Sequence, residues 1–262
     1  MNLAPFRAAA ALGFRHHLAY RAEVVIQLVA AGIIAALNGA LWSAAAESAP
    51  VLGGVPTTAV RAGVLVAWAG IGAVATRVHE DMGERFRTGQ IAADLVRPIS
   101  LPGMIYARDL GRASAAFLVQ AVPLLAISAC FAPLGLPHEP SRWLSWVAAL
   151  LGAHLVNVAL SFSLGIGAFR IGSATGLTHV KATLVSLFAG ALLPLELFGP
   201  TLQAVARCLP FHLLGRTPAL VLVGTEPVLP LLAEQAAWAV ALWALGLWMW
   251  TRAARTFTVA GG

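Results

Sequence analysis

Residues 77–112 read RVHEDMGERFRTGQIAADLVRPISLPGMIYARDLGR and decide the architecture of the chain. This stretch holds six arginines and five acidic residues, whereas nearly all of the remaining sequence is apolar. A charged segment between hydrophobic ones predicts a loop on one side of a membrane, and its arginines predict the cytoplasmic side. We interpret it as a cytoplasmic docking surface.

The composition outside this stretch predicts an all-α integral membrane protein. Of 262 residues, 59% are hydrophobic and 11% are charged, against about 25% charged in soluble domains. The net charge is +6, but the arginines stand at the ends of hydrophobic segments and form no basic face with interleaved aromatics, which argues against a nucleic-acid partner. Cys130 and Cys208 predict no disulfide framework, and residues 1–20 contain no cleavable signal, so the first span is expected to direct insertion.

Six segments approach the roughly 20 apolar residues that cross a bilayer. They are residues 24–45, 60–78, 113–134, 143–169, 180–200 and 229–251. With both termini in the cytoplasm, thirteen basic residues lie inside and four outside, so this topology follows the positive-inside rule. Residues 1–22 predict an amphipathic interfacial helix, with a frayed basic tail as the alternative. Residues 1–262 form one membrane domain.

Residues 194–228 predict a re-entrant helical hairpin on the outer side. The segment is too broken by proline and glycine for a straight span, yet too apolar for a free loop. Such backbone is tolerated at membrane depth only where protein or a water-filled cavity covers it. The residues that mark this hairpin are Pro194, Glu196, Pro200, Pro210 and His212.

Residues 79–98 predict two short amphipathic helices. Acidic residues would occupy the first turn of the first helix, where they suit the helix dipole, and Met82 and Phe86 share one face. Gly89 ends this helix, residues 91–96 continue as the second, and Pro98 stops it. A solvated loop without a partner is the alternative, but such loops seldom carry several large apolar residues.

Polar side chains within the predicted spans are candidates for a translocation path or for the seam between two subunits. Hydrogen bonding between helices is the alternative role. The candidates are Gln27, Asn38, Gln120, His154 and Asn157, with Ser161 on the same face as His154. Glu234 is expected to be the only acidic residue within a span. The seven histidines are scattered, and the adjacent pair His16 and His17 in the N-terminal helix does not predict a metal site.

The sequence lacks the motifs of an enzyme or an ATP site. It has neither the His-Glu-x-x-His of a zinc protease nor a Gly-x-Ser-Gly motif. Its one lysine, Lys181, stands in THVKAT and is not followed by serine or threonine, so no P-loop is present. If the protein uses ATP, another subunit must bind it.

Four segments resemble the permease subunits of ABC-2-type exporters, in particular a small six-span branch related to drug and viologen-type efflux permeases. They are LAYRAEVVIQL at 18–28, RTGQIAADLVRPISLPGMIYARDLG at 87–111, PLELFGP at 194–200 and LPFHLLGRTPALVLVG at 209–224. The resemblance covers nearly the whole chain and is weaker over 135–180. It implies a coupling helix that enters a groove of an ATPase and a re-entrant extracellular hairpin between spans five and six.

The resemblance implies ATP-driven export through a dimer of permeases, identical or paralogous, bound to an ATPase dimer that carries ATP and magnesium. The chain itself would bind no cofactor or metal, and would lie in the bacterial inner membrane in contact with lipid. The expected coupling residues are Glu84, Phe86, Arg87, Ile91 and Arg97, with Phe86 as the apolar anchor. The first and fifth spans would form the permease seam. Amphiphilic or cationic drug-like compounds are the expected substrates, and eight tryptophans suit such cations.

Other classes of protein remain as alternatives. An ion-coupled secondary transporter would show buried charges and inverted repeats with broken helices. A membrane enzyme would need a catalytic set of residues, and glycolipid or polysaccharide is the alternative substrate of an exporter. A structural membrane subunit would differ only in having no ATPase to hold.

Overall fold

The structure, a computed structural model, describes residues 3–52, 54–96, 99–131, 135–171, 174–224 and 226–256. These residues are almost entirely helical. The elements are α1 (Ala4–Ala19), α2 (Arg21–Ser48), β1 (Val51–Leu52), β2 (Val55–Pro56), α3 (Thr57–Val74), α4 (Val78–Arg87), α5 (Gln90–Leu95), α6 (Leu101–Ala116), α7 (Val122–Phe131), α8 (Pro140–Ile171), α9 (Ala174–Phe188), α10 (Pro200–Arg207), α11 (Arg216–Val223) and α12 (Val228–Thr256). Strands β1 and β2 pair antiparallel between α2 and α3.

Five helical segments of the described chain are long and apolar enough to cross a membrane. They are α2, Thr57–Arg87 (α3 together with α4), the continuous α6–α7, α8 and α12. This agrees with an all-α membrane protein, whereas the predicted number of six spans stays a prediction. The third span differs from its expected start at 113, because the helix already begins at Leu101.

The fifth predicted span, 180–200, is wrong at both ends. Helix α9 runs over Ala174–Phe188, and its 15 residues cover about 22 Å at 1.5 Å per residue. Gly190 then adopts a φ of 76°, a left-handed conformation that ends the helical path and that glycine tolerates best. Lys181 therefore lies in the middle of α9 rather than at its end.

The α6–α7 span contains one π-helical turn at Phe117–Ala121. Pro123 follows it and has no N–H to bond to the carbonyl of Val119, which favours a widened turn here. Gln120 lies in this turn and packs against Gly72 of α3, where a Cβ would stand 2.7 Å from the Gln120 amide carbon. A predicted path residue thus fills the contact between α3 and α6–α7.

The main core lies between α3, α8, α11 and α12 and consists largely of small side chains. Ala69, Ala149 and Ala153 are fully buried or nearly so, together with Leu213 and Val221. Small residues let membrane helices approach closely. Helix α8 runs for 32 residues and contacts both α4 at one end and α11 towards the other, so it connects the two ends of the bundle.

Residues 194–228 form two eight-residue helices, α10 and α11, joined by a 3-10 turn at Pro210–Leu214. Pro200 occupies the first turn of α10, where its missing N–H costs nothing. The re-entrant hairpin itself, including its depth in the bilayer, stays a prediction.

Candidate functional site

Helices α4 and α5 form where the charged stretch predicted two short helices. Two acidic residues lie in the first turn of α4 and two basic residues in its last turn, which suits the helix dipole. Gly89 has a φ of 74° and separates the helices. Arg85 then donates to Asp94, which is buried, and this ion pair holds α5 against α4.

The apolar face of this pair points into the protein. Met82 and Ile91 are fully buried, and Phe86 is 5% exposed. They pack in a cluster with Val158, Phe162 and Ile166 of α8 and with Ala253 of α12. Phe86 and Ile91 therefore attach α4 and α5 to the bundle, which corrects the expectation that Phe86 is the anchor offered to a partner.

The outward face of α4–α5 combines charge with two exposed apolar side chains. Glu84 accepts two hydrogen bonds from Arg87, at 2.6 and 2.9 Å, and both side chains are mostly exposed. Leu95 is 42% exposed and Val96 is 85% exposed. Arg97 and Pro98 lie outside the described residues. We call Glu80, Glu84, Arg87, Leu95 and Val96 the docking face.

Helix α4 crosses α8 at Gly165, which contributes no side chain to the contact. A Cβ at Gly165 would stand 2.6 Å from the Met82 Cβ and 3.2 Å from the His79 carbonyl oxygen. These distances are shorter than van der Waals contact, so only glycine fits this crossing. The contact fixes α4 on α8 within narrow limits.

A buried polar cluster lies next to this crossing. Arg112 donates to Asp109 on α6 at 2.8 Å, and the second Asp109 oxygen is 3.9 Å from His154 Nδ1 on α8. The ring of Tyr106 lies 5.4 Å from that of His154. Asn157, one turn along α8, donates to the carbonyl of Val74 at the end of α3 at 2.8 Å.

Lys181 extends this cluster to α9. Its ammonium donates to the Ser161 hydroxyl at 2.6 Å, and the lysine side chain is 7% exposed. His154, Asn157 and Ser161 thus share the polar face of α8 as expected. Asn157 and Ser161 form hydrogen bonds with groups of α3 and α9, and His154 faces Asp109 of α6. The cluster joins the end of α3, which precedes α4 in the chain, to helices α6, α8 and α9.

The sequence prediction missed the charged members of this cluster. Asp109 is buried within the span that begins at Leu101, so the expectation that Glu234 is the only acidic residue in a span is wrong. Asp109 and Arg112 were assigned to the loop because the span was expected to begin at 113. Their spacing of three residues in a helix, and the position of Lys181 in an apolar segment, are the signals that could have found them.

The two remaining path candidates lie on α2, apart from this cluster. Gln27 lies beside His17 of α1. Asn38 donates to the Ile34 carbonyl of its own helix at 3.0 Å. The structure therefore brings together His154 and Asn157, but not Gln27 or Asn38.

The opposite end of the bundle carries the predicted hairpin residues. Glu196 accepts two hydrogen bonds from Arg216, at 2.7 and 3.0 Å, and Glu226 is 3.6 Å from the same guanidinium. His212 is buried, with Nε2 3.1 Å from Glu234 and Nδ1 2.8 Å from the Leu209 carbonyl. These contacts connect the segment of α10 and α11 to α12 through Glu234, and they connect residues within the segment to each other.

Beside Arg216 lies a cavity of about 450 Å³. Its walls are mainly apolar and include Val60, Val64 and Leu220, while Glu196 and Glu226 also line it. We call it the outer cavity. It is large enough for a small amphiphilic molecule.

A family model described as ABC-2 family transporter protein matches residues 33–261. No curated protein and no solved structure matches the chain. The matched range begins within α2 and includes both the docking face and the outer cavity.

The contact at Gly165 predicts a sharp difference between two glycines of one helix. Gly165→Ala should lower the free energy of unfolding by about 1–3 kcal/mol, because the new methyl group overlaps Met82. Gly167→Ala is the matched control, since its nearest neighbour is the Met249 methyl carbon at 4.0 Å, and it should be neutral or stabilising. Thermal unfolding of the purified chain in detergent measures both. Equal melting temperatures would contradict the described crossing.

The Lys181–Ser161 bond predicts an asymmetry between its two partners. Ser161→Ala should lower the free energy of unfolding by about 1–3 kcal/mol, because the buried ammonium loses its only hydrogen bond among the described residues. Lys181→Met should be nearly neutral, because it removes the charge and keeps an apolar side chain of similar length. The double variant should match Lys181→Met in the same unfolding experiment. A larger loss for Lys181→Met alone would show that the lysine has another partner.

Proposed function

Because the chain belongs to the ABC-2 transporter family, a family of membrane permeases that work with an ATPase, we propose that it is the permease subunit of an ATP-driven exporter. In this proposal two permeases, identical or paralogous, form the translocation path, and an ATPase dimer with ATP and magnesium binds at the α4 end. That end faces the cytoplasm together with both termini, and the membrane is the bacterial inner membrane. The chain needs no ATP site of its own.

The observation that carries the proposal is the division of α4–α5 into two faces. The inner face is attached to α8 by Met82, Phe86 and Ile91, whereas the outer face presents charges and the exposed Val96. A partner that moves the docking face would therefore move α8 with it. Arg97 is proposed as a further docking residue because it follows Val96 in the sequence.

In this arrangement each docking residue has a limited role. The ion pair of Glu84 and Arg87 is exposed, so its charges orient the partner rather than hold it. Val96 and Leu95 supply apolar surface of the kind that carries binding energy when a pocket covers it. Phe86 acts indirectly, by keeping α4 in place.

We propose amphiphilic or cationic drug-like compounds as substrates, leaving the permease through the outer cavity. Its apolar walls suit the body of such a molecule, and the carboxylates of Glu196 and Glu226 suit a positive group. In the structure, the Arg216 guanidinium forms ion pairs with both carboxylates. A cationic substrate would compete with Arg216 for them, and a neutral one would not.

Because the two faces of α4–α5 have different neighbours, a substitution at Phe86 should lower stability, whereas one at Val96 should weaken binding of the partner. Phe86→Ala should destabilise the permease alone by about 3–5 kcal/mol, because it opens a cavity in the cluster with α8. Val96→Asp should leave stability unchanged within about 0.5 kcal/mol, since the side chain is exposed, but abolish co-purification with a co-expressed ATPase partner. Co-expression, affinity purification and thermal unfolding measure both effects.

Arg87→Glu should weaken the same co-purification, with Arg7→Glu on the exposed side of α1 as the matched charge control. If Val96→Asp and Arg87→Glu both retain the ATPase, the docking face is elsewhere. If Phe86→Ala remains as stable as the wild type but loses the ATPase, Phe86 is a docking residue after all.

The outer cavity predicts a charge-selective effect at Glu226. In inside-out vesicles that contain permease and ATPase, Glu226→Gln should slow ATP-dependent transport of a cationic amphiphilic dye about five-fold, as expected for a partly exposed contact of about 1 kcal/mol. Transport of a neutral amphiphile of similar shape should not change. Glu139→Gln, which removes an exposed charge outside the cavity, is the control. Equal slowing of both dyes would contradict the assignment of a cationic substrate.

A further inference from the structure

A second cavity, of about 420 Å³, lies between α1, α4 and α6 at the end of the bundle that carries the docking face. We call it the α1 cavity. None of the roles proposed above uses it. Four arginines line it, namely Arg77, Arg85, Arg108 and Arg112. Apolar side chains, among them Leu12, Leu101 and Met104, form the rest of its wall.

Two glycines bring α1 close enough to α6 to form this cavity. A Cβ at Gly13 would overlap the Arg108 carbonyl oxygen, and a Cβ at Gly111 would overlap the Ala10 carbonyl oxygen. The helices therefore cross in backbone contact, and Arg108 and Arg112 flank the crossing at positions on α6. The basic side of α6 and the N-terminal helix belong to one site.

One arginine that lines the α1 cavity has no ion-pair partner among the described residues. Three carboxylates also line it, of which Asp109 binds Arg112 and Glu23 lies 3.9 Å from Arg77. The third is the exposed Asp81, while Arg85 binds Asp94. Among the described residues, no carboxylate forms an ion pair with Arg108. Counted with Asp94, the four guanidinium groups face four carboxylates, so the cavity carries no net charge, and Arg108 is its one arginine without a carboxylate partner among the described residues.

One buried donor of the cavity, on Arg112, points to an anionic ligand. Nη2 of Arg112 is buried and has no hydrogen-bond partner among the described residues. Burial, and then the Arg112 guanidinium, lower the pKa of His17, so this residue is neutral at pH 7 and does not change the charge balance. Arginine presents several N–H groups in a fixed plane, a geometry that matches phosphate oxygens.

We propose that the α1 cavity binds the phosphate headgroup of an anionic phospholipid. Arg108 contacts the phosphate together with Arg112, whose buried Nη2 must turn towards the cavity to donate to it. Arg77 stands at the rim, and the wall of Leu12 and Met104 receives the start of an acyl chain. A lipid fits this mixed lining better than a soluble phosphate, which would leave the apolar wall in water. The proposed topology places the cavity at the cytoplasmic leaflet, whose anionic lipids attract basic sites.

The position of the site gives the lipid a structural effect. Val78 and Arg85 of α4 line the same cavity as Leu12 of α1. A bound headgroup would therefore bridge the N-terminal helix and the helix that carries the docking face. Binding itself does not depend on the ATPase, so its test is independent of the proposed transport function.

The test is lipid binding by the full chain in a neutral detergent, measured by native mass spectrometry and by thermal unfolding. Phosphatidylglycerol should remain bound as one molecule per chain and raise the melting temperature, whereas phosphatidylcholine should do neither. Arg108→Gln should weaken phosphatidylglycerol binding about ten-fold, the usual effect of losing one charge-assisted contact. Arg15→Gln removes the same charge from an exposed position on α1 outside the cavity and should bind like the wild type.

Arg77→Gln provides a second variant in case Arg108→Gln does not fold, because the Arg77 side chain is 68% exposed. It should also weaken binding of phosphatidylglycerol. Equal binding of the two lipids, or wild-type binding by Arg77→Gln together with any folded Arg108→Gln, would overturn the proposal. Inorganic phosphate is the remaining arm: if it stabilises the chain with the same dependence on these arginines, the site takes a soluble anion and not a lipid.

Discussion

The backbone contact between α4 and α8 at Gly165 is the constraint on which the functional interpretation depends. The absence of a side chain at Gly165 lets His79 and Met82 approach α8 directly. Met82, Phe86 and Ile91 then bury their apolar groups against the next turns of α8. A packed crossing of this kind has little freedom to slide, because interiors at close-packed density resist deformation. A displacement of α4 therefore requires α8 to move.

Helix α8 can transmit such a displacement because its polar face is tied to three other helices. Asn157 holds the end of α3, Ser161 holds Lys181 of α9, and His154 faces the Asp109–Arg112 pair of α6. Buried polar groups are costly when one partner is removed, so relative movement of these helices would have to break or exchange several contacts at once. The opposite end of α8 packs against α11, near Arg216 and the outer cavity. The polar face thus lies on the path between the two candidate sites.

The sequence predicted the local structure of the docking region well and its orientation poorly. Charges at the helix ends and Gly89 are local signals, so the two helices were found within a residue or two. The local pattern places Phe86 on the apolar face of α4, but it does not determine whether that face contacts a partner or α8. Only the glycine at 165, some 80 residues away, decides that it faces inward. The same limit explains Lys181 and Asp109, whose burial depends on partners from other helices.

The two faces of α4–α5 also differ in the energy that they can supply, and the difference suits a coupling element. The inner face buries several large side chains, each of which is worth about 1.5–3 kcal/mol when fully buried. The outer face offers an exposed ion pair, which contributes at most about 1 kcal/mol, and two apolar side chains that gain energy only when a partner covers them. The contact between the docking face and a partner is therefore weaker than the contact between α4 and α8. The proposed function therefore has the partner bind and release at the docking face while α4 remains fixed on α8.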